Sequence, residues 1–310
     1  MATVENGQWL NQFVAPQLLQ EFKNFKDDFI GVLEGVPQQA ITADGIRFNK
    51  LINNVGFKVN NTNEFTAKKM TGKKVFVEWE KFDTEPTEVD DAEIRYLAYD
   101  KRNAVRVKHA ESFKLGIRDH VLHKLAPTKN ADGMPVMRTT GEDDGTGRKR
   151  LTFVDLANFL EKVKALNLPD ANKLYMVLSP KHVTDLILDK EAAKYFIDRG
   201  LYIDPMNGKV RSFMGFTFFE NASCPTYTKA GVKVAAGAEA TAGDQQASVF
   251  FYSPNTVYHI DKVKVLYSSE TQDTKSADPK SIFRTQTYGL VDRKEDYGFG
   301  AIVSDNVEPA

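Results

Sequence analysis

The stretch that most constrains this chain is its last sixty residues, Ala247–Asp305. Ser248-Val-Phe-Phe-Tyr-Ser253 reads as a strand and Val257–Ser269 as a second extended run. A polar loop, Glu270–Pro279, follows, and then one return strand from Ser281 to Val303. Strands of globular domains average about 5–6 residues. Extended runs as long as these need a broad, flat surface to lie on.

Composition sets the remaining bounds. The 310 residues suit one large domain or two modest ones. With 42% hydrophobic and 27% charged residues, the chain can bury a sizeable core. Its 41 basic and 42 acidic residues leave a net charge of −1, so no global attraction to nucleic acid or an anionic membrane follows. A single cysteine, Cys224, excludes an intrachain disulfide framework and fits a reducing compartment. Met1–Trp9 lacks the basic run and apolar core of a secretory signal. No apolar run approaches the roughly 18 residues of a membrane span. The expected setting is a cytoplasm.

Residues 8–35 predict a helix, because Phe13, Leu18, Phe22, Phe25, Phe29 and Leu33 recur mostly at spacings of three and four. Pro16 kinks it, and Gly35 with Pro37 ends it. Periodicity leaves two roles open: a core helix of the following domain, or an arm packed on a neighbouring subunit. Residues 41–98 are rich in Asn and carry a basic, turn-rich stretch at Lys68–Lys74. Lys74–Phe82 and Ala92–Ala98 alternate with period two, and acidic Asp83–Asp91 lies between them. The pattern predicts a long-armed hairpin that pairs these two runs. It is too polar to be stable alone and must lie on something, which can be another chain.

Residues 99–126 predict the longest helix, with a ridge of Ala110, Phe113, Ile117, Val121 and Leu125 and a stop at Pro127. About 25 residues give a rod of roughly 38 Å. Residues 128–150 read as loop. A helix from Thr152, a strand at Lys173–Ser179, a helix opened by Pro180 and a strand at Val210–Phe219 follow. Ala222–Gln246 is rich in Gly, Ala and Thr and reads as flexible. The mixture, without a regular βαβ repeat, predicts an α+β fold.

Four stretches invite a chemical reading and each has a plainer one. Gly141–Arg150 joins glycines to basic residues, but the P-loop order is absent, so a flexible surface loop is preferred. His120 and His123 could share a metal, yet no third strong ligand is nearby in sequence. The carboxylates of Asp83–Asp91 lack apolar walls that would split their pKa values. Ser179-Pro-Lys181 sits where a strand meets a helix, and capping explains the serine. No catalytic, cofactor-binding or metal-ligating residue is assigned, and no cofactor is expected.

The order of parts is more specific than any motif. Glu85-Pro86, Tyr99-Asp-Lys101 and His109 mark the junction of hairpin and long helix. Leu178-Ser-Pro180 enters a helix with Leu186, and Val210-Arg-Ser-Phe-Met-Gly-Phe216 and Tyr288-Gly-Leu-Val-Asp-Arg293 follow. In this order the chain resembles the major capsid proteins of tailed bacteriophages, the Hong Kong 97-type fold. The resemblance implies an N-terminal arm (1–40), an E-loop hairpin (41–98), a P-domain with a spine helix (99–149), an A-domain (150–256) and P-domain return strands with the C-terminus (257–310).

It further implies a structural protein, not an enzyme, that self-assembles as hexamers and pentamers into an icosahedral shell around double-stranded DNA. Scaffolding, portal and decoration proteins are the implied partners, with only weak non-specific DNA contact and no membrane. The implied location is the virion, assembled in the host cytoplasm. Some relatives crosslink through an E-loop lysine, and Lys68, Lys69, Lys73 and Lys74 lie in the matching stretch. About forty residues precede the hairpin, so any scaffold is expected to be a separate protein. The main alternative is an encapsulin-like cellular compartment of the same fold. An α+β enzyme and a nucleic-acid-binding protein are the other rivals, and neither gains support from the residues.

Overall fold

The computed structural model describes residues 28–51, 72–90, 101–189, 202–203, 210–213, 215–268, 274–277 and 279–307, with scattered positions between 59 and 69 and at 272. The strands are β1 (Gly45–Leu51), β2 (Gly72–Glu78), β3 (Glu80–Asp83), β4 (Thr87–Asp90), β5 (Val136–Arg138), β6 (Leu174–Leu178), β7 (Tyr202–Ile203) and β8 (Val210–Phe213). They continue with β9 (Phe216–Glu220), β10 (Thr226–Tyr227), β11 (Gln245–Tyr252), β12 (Thr256–Ile260), β13 (Lys264–Ser268), β14 (Lys280–Arg293) and β15 (Phe299–Val303). Among the described residues three α-helices intersperse them: α1 (Lys101–Leu125), α2 (Phe153–Ala165) and α3 (Pro180–Leu188).

Each helix starts or stops where local chemistry requires. α1 ends two residues before Pro127, which cannot continue it. At the start of α2, Thr152 Oγ1 accepts from Asp155 N at 3.2 Å and Asp155 Oδ2 accepts from Thr152 N at 3.1 Å. This reciprocal box satisfies two otherwise orphaned donors. Ser179 caps α3 by accepting from His182 N at 3.4 Å, and Pro180 follows in the first turn, where a missing N–H costs nothing.

Two sheets share α1 as a common floor. In the larger, the strand order is β5-β15-β11-β6-β9-β8-β7, with β10 beside β11. Alternation sends successive side chains to opposite faces. Met176, Leu178, Phe250 and Ile302 meet Leu156, Phe159, Leu160, Val163, Val183 and Leu186 of α2 and α3. Val177, Val249, Phe251 and Phe299 meet Phe113, Ile117, Val121, Leu122 and Leu125 of α1 on the other side, together with Phe29 and Ile30. Phe250 is edge-on to both Phe159 (5.8 Å, 76°) and Phe216 (5.5 Å, 72°). Such contacts strengthen the core beyond area burial alone.

The second sheet is built around β14. One edge pairs with β12 (Gly289–Arg293) and β13 (Ile282–Gln286); the other pairs with β3 (Gln286–Gly289) and β4 (Lys280–Phe283). Ser281, Phe283, Thr285 and Thr287 are buried, and Phe283 packs on Ala110 of α1. The alternate residues Lys280, Ile282 and Tyr288 are exposed. A third, two-stranded sheet is the β1–β2 hairpin, in register from Gly45↔Glu78 to Leu51↔Gly72. A Cβ on Gly45 would lie 2.2 Å from Val77 O, so only glycine allows the strands this close. The hairpin root packs Ile46 with Val257 and Leu290.

Several expectations are corrected. The predicted return strand Ser281–Val303 is two strands in different sheets, broken at the polar turn Lys294–Gly298. Val257–Ser269 is likewise interrupted, at Asp261–Val263. The run 74–82 is two strands, β2 paired with β1 and β3 paired with β14, and its expected partner 92–98 lies outside the described residues. The acidic segment Asp83–Asp91 is not a turn throughout, since Thr87–Asp90 forms β4. Val210–Phe219 is a tight hairpin, β8–β9, turning at Gly215 with φ +89. Tyr202–Ile203, which carry no strand signal in the sequence, form the short β7 paired with β8. Of the predicted helix 8–35, residues 8–27 lie outside the described residues, and Asp28–Val32 is a 3-10 turn.

Replacing Phe159, fully buried between sheet and helix, with Ala should destabilise the unassembled subunit by about 3–5 kcal/mol. Thr152→Ala, which removes a cap and no core, should cost only about 1 kcal/mol. Urea unfolding midpoints at unchanged m-value would check both.

Candidate assembly surface and a buried polar centre

The most concentrated chemistry lies inside the molecule, where the 141–150 segment, α3 and the end of β15 meet. Arg148 binds Asp185 with two parallel bonds, Nη1–Oδ2 at 2.7 Å and Nη2–Oδ1 at 2.8 Å. Its Nε donates to Asp144 Oδ2 at 2.7 Å, and Nη1 also reaches Ser304 Oγ at 3.2 Å. Asp185 Oδ2 further accepts from Leu151 N at 2.9 Å. Arg148 and Asp185 are buried at 4% and 3% exposure. Charges taken out of water are tolerated only when paired and fully hydrogen-bonded, as here. The expected flexible loop is therefore pinned by its own arginine. Burial pushes the Asp144 carboxyl up, but hydrogen bonds from Thr146 and Arg148 outweigh it and hold the group well below the usual carboxylate range.

His182 extends this centre. Its Nδ1 is 2.6 Å from Ser248 Oγ on β11 and its Nε2 is 2.8 Å from Ser304 Oγ after β15. Serine beside histidine suggests a nucleophile, but His182 and Ser248 are 0% exposed and Ser304 2%. A substrate has no approach, and the arrangement ties α3 to two strands. Burial pushes the His182 imidazole down to about 4, so it is neutral at physiological pH.

The other sequence candidates are dispersed. His120 Nε2 meets Glu80 Oε2 at 2.6 Å, and Lys124 Nζ meets Glu80 Oε1 at 2.6 Å, joining α1 to β3. His123 turns elsewhere, to Val234 O at 2.8 Å. Among the described residues, no cluster of three metal-ligating side chains includes this pair. Within Asp83–Asp91, Glu88 and Asp90 flank Lys280 at 3.1 and 3.6 Å. His109 bridges the gap between β3 and β4, with Nδ1 at 2.7 Å from Thr84 Oγ1 and Nε2 at 2.8 Å from Thr87 Oγ1.

Sequence reasoning missed two features. Ala222–Gln246, expected to be flexible, clasps the end of α1. Lys233 Nζ donates to His123 O at 2.6 Å and Ala126 O at 2.8 Å, a cation on the carbonyls of a helix C-terminus. Tyr227, fully buried, donates to Pro127 O. One of two lysines in a Gly/Ala-rich stretch carries no sequence signal for that role. The second feature is the outward surface. The hairpin carries Phe76 at 42% exposure, and Ile282 (39%) and Tyr288 (38%) are exposed on one face of β14. No described helix is long and apolar enough to cross a membrane.

Two outcomes test the polar centre. Arg148→Ala strands a buried carboxylate and should destabilise the subunit by about 3–5 kcal/mol. His182 takes up a proton near 6.5 in the unfolded chain but only near about 4 when folded. Its contribution is therefore full above pH 6.5 and lost as pH falls toward 4, by roughly 3 kcal/mol at most. Burial lowers His109, His123 and His259 too, so the comparison with His182→Asn matters. Denaturant titrations between pH 7 and 4 should show a shallower loss for the variant, and equal slopes would rule the assignment out.

No protein-family model matches the chain, nor does any curated protein. Solved structures do match. A chain of the cyanophage Pam1 capsid asymmetric unit aligns with a TM-score of 0.63 at 10% identity, over 90% of this chain and 89% of that one. A chain of the cyanophage P-SCSP1u capsid gives 0.60 at 13% identity, over 88% and 86%. A virus-like particle from Pyrococcus furiosus gives 0.55 at 10% identity, over 94% and 98%. At these identities the likeness is one of fold, and the fold is the α+β Hong Kong 97-type capsid fold.

Proposed function

We propose that this chain is a structural shell protein, the major capsid protein of a tailed phage, which self-assembles into an icosahedral shell around double-stranded DNA. The observation that carries this reading is the likeness to capsid subunits over nearly the full length of both chains. Physics supports it. A two-stranded hairpin is marginal on its own, and the β1–β2 pair is packed by its own subunit at the root. Repeated contacts between identical copies supply the missing cover, and many weak interfaces act together in a closed shell.

In this reading residues 1–40 are the arm, 41–98 the E-loop, 99–149 and 257–310 the P-domain, and 150–256 the A-domain. Copies of the chain associate as hexamers and pentamers, with scaffolding, portal and decoration proteins as further partners. A net charge of −1 suits a wall that holds packed DNA without gripping it. The role is structural, not enzymatic, and the particle is a virion assembled in the host cytoplasm. A second reading, an encapsulin-like compartment shell, is kept because the Pyrococcus furiosus virus-like particle matches over 98% of its own length. Portal and terminase genes beside the coding sequence favour the phage; a cargo enzyme favours the compartment.

Electron microscopy of the expressed protein should show shells, tubes or capsomer rings. A strictly monomeric solute at high concentration, with or without scaffold, would overturn the reading. Phe76→Asp on the hairpin should raise the concentration needed for assembly while leaving subunit stability within about 0.5 kcal/mol, since the side chain is half in solvent.

A further inference from the structure

At the hairpin root, where Trp79 separates β2 from β3, a cleft of about 440 Å³ opens between the hairpin and the β12–β14 sheet. Three rings line it: Trp79, His259 and Tyr288. Trp79 is fixed, with Nε1 donating to Thr42 O at 3.2 Å and its ring 5.5 Å from that of His259. Ile41, Thr42 and Ala43 line it as well, and Asp261, which is exposed, supplies its carboxylate. Its backbone is pinned beside Tyr288, since Asp261 N donates to Tyr288 O at 2.8 Å and Asp261 O accepts from Thr287 Oγ1 at 3.0 Å.

The cleft's electrostatics favour one kind of guest. Burial lowers the His259 pKa, against the pull of Asp261, so the imidazole is neutral near pH 7 and the lining carries one negative charge. Two cations near the hairpin root are engaged elsewhere: Lys81 with Asp83 at 2.7 Å, and Arg47 with Asp44 at 3.9 Å and over the Phe76 ring at 5.2 Å. Among the described residues no ion pair uses the Asp261 carboxylate. Aromatic faces and a carboxylate together attract a cation on a flexible stem. With 41 basic and 42 acidic residues, every copy presents both signs, so one copy can supply what another's cleft lacks.

We propose that this aromatic, acid-edged cleft receives a lysine or arginine side chain from a second copy of the chain. The proposal rests on the shell reading. It names the chemistry of one contact between copies, and Tyr288 and Asp261 as the residues that select the cation.

Trp9→Phe leaves Trp79 as the sole tryptophan. Tetramethylammonium chloride, compared with sodium chloride at equal ionic strength, should shift Trp79 emission in the unassembled subunit, and Asp261→Asn should abolish the shift. Asp261→Asn and Tyr288→Thr, both at solvent-reached positions, should each raise the assembly concentration about tenfold, with Asp261→Glu near wild type. Variants that assemble at the wild-type concentration would overturn the cleft and leave the shell reading intact. An effect of Tyr288→Thr without one of Asp261→Asn would also overturn it, pointing to an apolar occupant. A parent protein that forms no particle under any condition would remove the shell reading and the second-copy partner with it.

Discussion

Pairing along both edges of β14 at once is the constraint on which the architecture depends. Fourteen residues of one strand, Lys280–Arg293, hold β12 and β13 on one side and β3 and β4 on the other. Neither flanking edge is continuous. β3 and β4 part at Thr84–Pro86, and β12 and β13 part at Asp261–Val263, so the central strand alone carries the sheet's length. At the first gap, Thr84 Oγ1 accepts from Thr285 N at 2.9 Å and touches His109. Side chains thus replace the ladder bonds that the gap removes. Residues near positions 80 and 290 are held together in this way, and α1 lies beneath both.

α1 does more than support one sheet. Its first half meets the β14 sheet through Ala110 and Val105, and its second half meets the larger sheet through Ile117, Val121 and Leu125. A single rigid rod therefore sets the relative position of the two sheets. Polar contacts of different kinds tie it in place, His109 to the β3–β4 gap and the Lys233 clasp to its last carbonyls. The Arg148–Asp185 centre serves the far side of the larger sheet, locking the 141–150 segment between α3 and the chain's last strand. Because that pair is desolvated, it discriminates sharply between the native arrangement and any in which either partner is left alone.

What remains outside these cores is the surface through which copies would meet. Among the described residues, the hairpin has two strands without a third, and no helix lies over the face of β14 that carries Ile282 and Tyr288. A monomeric protein rarely leaves such edges and faces bare without cause. In a shell they are the parts that neighbours complete, and the cleft of Trp79, His259, Tyr288 and Asp261 lies where hairpin and sheet join.

Elements whose signals are local could be read from the sequence. The spine helix was set by its Ala110–Leu125 ridge and by Pro127; α2 and α3 were marked by Thr152 and by Ser179-Pro180; the strand Leu174–Leu178 was marked by its apolar run. The order of these parts also pointed to the capsid fold, because order survives when identity does not. Pairing was not legible. Alternation shows that a run is extended but not which run lies beside it, so neither the β1–β2 pairing nor the split of Ser281–Val303 between two sheets is visible in the sequence. Nor could charge pairing be read: Arg148 and Asp185 lie 37 residues apart, and Lys233 lies 110 from His123. Nothing in either neighbourhood signals the other. Local sequence determined the pieces, because propensity and capping act within a few residues. Tertiary structure alone decided which edges meet and which charges are buried, because those energies exist only once distant segments have excluded water between them.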